Sequence, residues 1–151
     1  NALQKTRKGA SEGFISKVAP DGKSLDYSTY LGGGAWDGPE GIAVDALGTV
    51  FVAGMTESVD FPLKESIQGA IHGRYDGFLS AIAPDGQKLI LSTYLGGRYE
   101  DGFGGIVLDA DGSVFLTGST NSPDFPIRKA YQKTLAGNKD AVLLKFKRTG
   151  D

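Results

Sequence analysis

Several short words in this chain carry side chains that can do chemistry. The run Gly9-Ala10-Ser11-Glu12-Gly13 fits G-x-S-x-G, the pattern of a serine nucleophile held on a sharp turn. Such a serine needs a base, and His72 is the only histidine. It also needs a strand before it and a helix after it. Here a polar tail precedes and a strand-like word follows, so a chance match is the expectation. His72 is read as a surface-loop histidine, because a metal site needs several ligands converging. Asp109-Ala110-Asp111-Gly112 opens like a calcium loop, but Ser113 and Thr120 stand where further carboxylate ligands belong. A β-turn whose Asp side chains accept from backbone amides is the default reading, with Asp109 and Asp111 kept as weak metal candidates. No cofactor is expected.

Two other carboxylates, Asp37 and Asp101, recur in the same context after a Gly-Gly turn. They could hold a cation or a hydroxyl-rich ligand. Alternatively, each pins its own glycine-rich loop or bridges to a neighbouring unit. The residues just before them differ, Gly34-Ala35-Trp36 in one place and Arg98-Tyr99-Glu100 in the other. Variable aromatic and charged residues on recurring loops are where recognition is commonly placed. Trp36, Asp37, Tyr99 and Asp101 are therefore the candidate binding residues, with Trp36 and Tyr99 able to stack on sugar rings or anchor a protein.

The element that must position these residues is a repeat. Residues 13–76 align with residues 77–140 without a gap, and 32 of the 64 pairs are identical. STYLGG at Ser28–Gly33 returns at Ser92–Gly97, and a third copy begins at Asp140. Self-similarity at this period marks a repeat architecture.

One period holds four strand words. Residues 14–19 alternate and end at the turn Pro20-Asp21-Gly22. Residues 25–31 place Leu25, Tyr27, Thr29 and Leu31 on one side. Residues 41–45 are short and apolar, and residues 49–56 are rich in β-branched and aromatic side chains. The segment from Glu57 to Asp76 is expected to be a packed cover, with Phe61 and Phe125 buried and a helical turn around Lys64–Ile71.

Composition narrows the class. Of 151 residues 23 are glycine, which suits many short strands joined by tight turns. The net charge is −2, which argues against nucleic acid as a partner. Cysteine is absent, so disulfides and thiolate metal sites are excluded. No apolar run is long enough for a membrane helix, so no membrane span is expected. The N-terminal stretch is polar throughout, so an export signal would lie outside it. The basic clusters Lys5-Thr6-Arg7-Lys8 and Lys145-Phe146-Lys147-Arg148 are read as solvated edges.

Four antiparallel strands per repeat predict an all-β fold of β-propeller blades: two full 64-residue periods plus partial flanking blades. YSTYLGG, GIAVD, a four-residue turn, VFVAG and S-x-D-F-P together resemble the bacterial β-propeller repeat family (SBBP repeats) over essentially the whole chain. The GIAVD-turn-VFVAG hairpin also resembles the first two strands of NHL-type blades. That likeness implies one propeller segment over residues 1–151, with a partial blade 1–40, a full blade 41–97 and a partial blade 105–151. It implies a non-catalytic structural or interaction module of an exported or cell-surface bacterial protein. Its partners would be other blades or other copies of the chain, met through the terminal strands. The alternative is a carbohydrate-binding, lectin-like propeller module. Two periods and a part cannot close a ring, so a segment of a larger propeller is expected, or one protomer completing it.

Overall fold

A computed structural model of the chain describes residues 2–147; Arg148 and the end of the third expected blade lie outside them. The fold is all-β, with nine strands and no helix among the described residues. No helix there is long and apolar enough to cross a membrane.

The strands are β1 (Gly13–Val18), β2 (Leu25–Leu31), β3 (Asp37–Val44), β4 (Val50–Thr56), β5 (Asp76–Ile82), β6 (Leu89–Leu95), β7 (Asp101–Leu108), β8 (Val114–Thr120) and β9 (Asp140–Phe146). They form three antiparallel sheets, ordered β1-β2, β3-β4-β5-β6 and β7-β8-β9. Each sheet is a simple meander, because every link between paired strands is a tight turn or the longer segment before β5 or β9. The turns repeat faithfully. Gly48 and Gly112 take positive φ (84° and 78°) and donate to Asp45 and Asp109, as the left-handed position of a tight turn requires.

The duplication is structural down to its irregularities. Ser16 faces Ser28 and Ser80 faces Ser92. The register slips between Lys17 and Val18 and again between Ala81 and Ile82. A second slip falls between Pro39 and Gly41 and recurs between Phe103 and Gly105. The extra residue is Glu40 in one and Gly104 in the other, so the bulge belongs to the repeat and forms with proline or phenylalanine before it. This extends β3 back to Asp37, four residues before the strand expected at 41.

Two hydrophobic clusters join the sheets face to face. We call the side carrying Phe14 and Tyr30, or Phe78 and Tyr94, the front of a sheet. In the first cluster Ile15, Tyr27 and Leu31 on the back of β1–β2 meet Val50, Val52, Phe78, Ile82 and Tyr94 on the front of the next sheet. In the second, Ala53, Leu79 and Leu95 on the back of that sheet meet Phe103, Val114 and Leu116, with Val142, Leu144 and Phe146 at its margin. Strand alternation explains the division, since each strand gives every second side chain to one neighbour.

The expected helical turn at Lys64–Ile71 does not form. Lys64 exchanges backbone hydrogen bonds with Ser92, and the Ile67 and Gln68 amides donate to Thr93 Oγ1. Backbone groups committed to the edge of β6 are not available for helical pairing. Glu65 and its counterpart Lys129 both adopt positive φ (47° and 53°), which turns the chain where a helix would need negative φ. The cover itself forms: Phe61 and Phe125 are buried.

Candidate functional site

The most organised polar region is a corner that occurs twice. A loop leaves β2, passes Gly32–Trp36 and enters β3. Its amides have no ladder partner, so side chains must take them. Asp37 Oδ2 accepts from Gly33 N (2.8 Å) and from Ser58 Oγ (3.0 Å). Its Oδ1 accepts from Thr56 Oγ1 (2.5 Å). Ser58 Oγ also accepts from Ala35 N (2.9 Å), and Asp60 Oδ1 accepts from Gly34 N (2.7 Å). Three consecutive amides, Gly33 to Ala35, are thus capped by Asp37, Asp60 and Ser58. A β-carbon at Gly33 would collide with Ser58 and Asp60, so only glycine lets the loop lie this close to its cap.

One period later the same contacts return. Asp101 Oδ2 accepts from Gly97 N (2.7 Å) and Ser122 Oγ (2.8 Å), Ser122 Oγ accepts from Tyr99 N (2.9 Å), and Asp124 Oδ1 accepts from Arg98 N (3.1 Å). One contact differs: Asp101 Oδ1 has no hydrogen-bond donor, although Thr120 occupies the place of Thr56. The Asn121 side-chain oxygen is also buried without a donor.

Both corners also stitch one sheet to the next. The Asp37 amide donates to Ser11 O (3.1 Å), and the Asp101 amide donates to Tyr75 O (3.0 Å). Ser11 therefore sits at a parallel bridge to Trp36 with β1 directly after it. That is no strand-to-helix elbow. His72 is exposed, and its backbone amide donates to Asp76 Oδ2 (3.0 Å).

Electrostatics follow burial. Burial pushes the Asp37 carboxyl above the ordinary carboxylate range, against the pull of Thr56, Gly33 and Ser58. Asp124, out in solvent, is held below it, chiefly by the Arg98 amide. Asp37 and Asp101 are thus the buried pins of two loops. Trp36 and Tyr99 lie on those loops, both exposed.

Asp109 Oδ1 accepts from Asp111 N (2.9 Å), Asp111 Oδ1 accepts from Ser113 N (2.8 Å), and Lys145 Nζ reaches Asp109 Oδ2 (3.5 Å). This is the capped β-turn. Among the described residues no group of three or more His, Asp or Glu converges as a metal site.

Between the two corners lies a cleft of about 510 Å³, open to solvent. Trp36, Glu57, Arg74, Tyr75, Glu100 and Lys139 are among the residues that line it. The rings of Trp36 and Tyr75 are perpendicular with centroids 6.2 Å apart. Arg74 lies 4.8 Å over the Tyr75 ring and 3.5 Å from Glu57. Asp101, itself buried, is also among the lining residues. Of the four binding candidates the cleft gathers Trp36 and Asp101. Asp37 is enclosed in its own loop, and Tyr99 lies beside Arg98 (5.8 Å), outside the cleft lining.

Ser58, Thr56 and Asp60 were legible as functional only through their recurrence at 122, 120 and 124. Tyr75 gave no such signal, because Lys139 and Ser11 stand at its equivalent positions. No family model matches the chain, and no curated protein matches it.

Proposed function

We propose that this chain is part of a β-propeller and serves as a non-catalytic structural and interaction module, its ring completed by further units of the same kind. One observation carries the reading. Phe14 and Phe78 hold the same place in the repeat, yet Phe14 is 69% exposed and Phe78 is 0% exposed. Phe78 is covered by Phe61 of the segment folded over its sheet and by the cluster on the back of the sheet before it, Ile15, Tyr27 and Leu31. At the other end the relation inverts. Leu79 on the back of the middle sheet is 2% exposed, and its equivalent Leu143 is 70% exposed.

One end of the molecule thus displays an uncovered front and the other an uncovered back. Inside the chain, front meets back at both sheet junctions. A contact between two different faces is heterologous, and it closes into a ring when the rotation per unit allows. Each large apolar side chain so buried contributes about 1.5–3 kcal/mol. The likeness to SBBP repeats adds a setting: an exported or cell-surface bacterial protein.

Sedimentation velocity tests this reading. The 151-residue chain should associate increasingly with concentration, and Phe14→Asp with Leu143→Asp should abolish the association. A chain that stays monomeric at every concentration and binds no hydrophobic dye would sink the proposal.

A further inference from the structure

The cleft between the two corners does not follow from how the terminal faces are covered. Most of its lining residues are ones that the repeat does not need. The loop pins recur as Asp37 and Asp101, Ser58 and Ser122, Asp60 and Asp124. Apart from Asp101 and Gly102, the cleft residues do not: Trp36 becomes Glu100, Glu57 becomes Asn121 and Tyr75 becomes Lys139 one period on. A fold that merely needed its corner filled would reuse the same filler, as it reuses the pins.

We propose that this cleft binds a neutral hydroxyl-rich ring, a pyranose unit of an oligosaccharide. Three observations select that chemistry. First, Trp36 stands 37% exposed beside Tyr75 at the mouth, so an apolar ring face can be laid against an aromatic one. Second, the charges are mixed. Glu57, Glu100 and the buried Asp101 share the lining with Arg74 and Lys139, so no single-sign patch is there to draw a polyanion or a polycation. Carboxylates accept from sugar hydroxyls, while guanidinium and ammonium groups donate to them. Third, one lining carboxylate is short of a donor. Asp101 Oδ1 has none, although the matching oxygen of Asp37 has Thr56. Buried acceptors without donors are uncommon and mark places where a donor is accommodated. A few placed polar groups around an aromatic concavity is the ordinary make-up of a small-ligand site.

The chain supplies its own reporter, since Trp36 is the only tryptophan. The test titrates cellohexaose, maltohexaose, mannohexaose and chitohexaose into the 151-residue chain while following Trp36 emission, with oligogalacturonate as the charged comparison. At least one neutral oligosaccharide should give a saturable change in the micromolar-to-millimolar range. Tyr75→Ala should weaken it about tenfold, and Glu57→Gln should weaken it too, as a variant that leaves the apolar clusters untouched. Trp36→Ala, read by calorimetry, should remove binding. Tyr131→Ala, an exposed aromatic outside the cleft, should change nothing. No saturable response to any neutral oligosaccharide overturns the proposal. So does a response to oligogalacturonate alone, or binding that survives both Trp36→Ala and Glu57→Gln.

Discussion

The front of β1–β2 and the front of β5–β6 are nearly the same surface written twice. Phe14, Ser16, Ser28 and Tyr30 on the first match Phe78, Ser80, Ser92 and Tyr94 on the second. Even the cross-strand serine pair is kept, Oγ to Oγ 2.8 Å in both. Yet the first serine pair is exposed and the second is buried. Local sequence and local geometry are therefore held constant while the neighbour is varied. The difference shows what the neighbours of β5–β6 contribute together, the stacked sheet, the segment carrying Phe61 and the paired strand β4: they convert an ordinary exposed hairpin into core. Hairpins alone are marginal in water, so most of the stabilisation of each repeat must come from the sheet beside it.

The largest break in this comparison is at the phenylalanine. Phe78 packs against Phe61 with ring centroids 4.6 Å apart, within the first cluster. Phe78→Ala should cost about 3–5 kcal/mol by urea denaturation, the range for emptying a packed aromatic site. Phe14→Ala should cost less than about 1 kcal/mol in the dissociated chain. Under concentrations where the chain associates, the cost at Phe14 should rise toward that at Phe78. Equal costs in the monomer would mean that neighbour stacking is not what separates the two faces.

A smaller break lies at the tyrosine hydroxyl. Tyr94 Oη donates to Ser58 O (2.6 Å) and accepts from Phe61 N (3.2 Å), both buried. Tyr94→Phe strips a donor and an acceptor from that site, and about 1–3 kcal/mol should be lost. Tyr30→Phe, on the exposed front, should fall within about 0.5 kcal/mol of wild type. The same denaturation series reads both. A loss at Tyr30 equal to that at Tyr94 would show that the hydroxyl acts through its own strand and not through the segment folded over it.

Much of this was legible in the residues. The period, the strand positions and the alternating faces follow from apolar spacing and from turn words such as Pro20-Asp21-Gly22, because these are local properties. Tyr27, Thr29 and Leu31 point inward as alternation predicts, while Leu25 does not, because the register slip leaves Asp26 unpaired and pairs Leu25 with Val18 on the exposed front. The start of β3 was hidden because Asp37-Gly38-Pro39 reads as a loop, and only pairing with β4, past the bulge at Glu40 in β3, makes it a strand. The segment over Lys64–Ile71 was misread for the same reason. Its backbone is satisfied by Ser92 and Thr93, a distant strand that no local pattern announces. At the corners, Asp37 and Asp101 declared themselves by recurring. The meeting of Trp36 with Tyr75 did not, because it depends on how two sheets stack.

The covered sheet also responds to pH at Asp76, through the smallest of these effects. Asp76 opens β5 and is fully buried. Its Oδ2 accepts from Gln68 Nε2 (2.6 Å) and His72 N (3.0 Å), and its Oδ1 from Gly73 N (3.0 Å). Burial still outweighs these donors and holds the carboxyl above the ordinary range, and the charge of Asp101 adds to the push. A carboxyl raised in the folded state keeps its proton more tightly there than in the unfolded chain. Its stabilising share is then complete below the ordinary carboxylate value near ~4 and is lost as pH rises through the raised one. Thermal melts of wild type and Asp76→Asn across that window should therefore converge on the variant from above: the advantage of wild type shrinks as pH increases. If that advantage instead grows with pH, the three donors hold the ionised form and outweigh burial, and the corner is closed by charge-assisted hydrogen bonds rather than by the sheet that covers it.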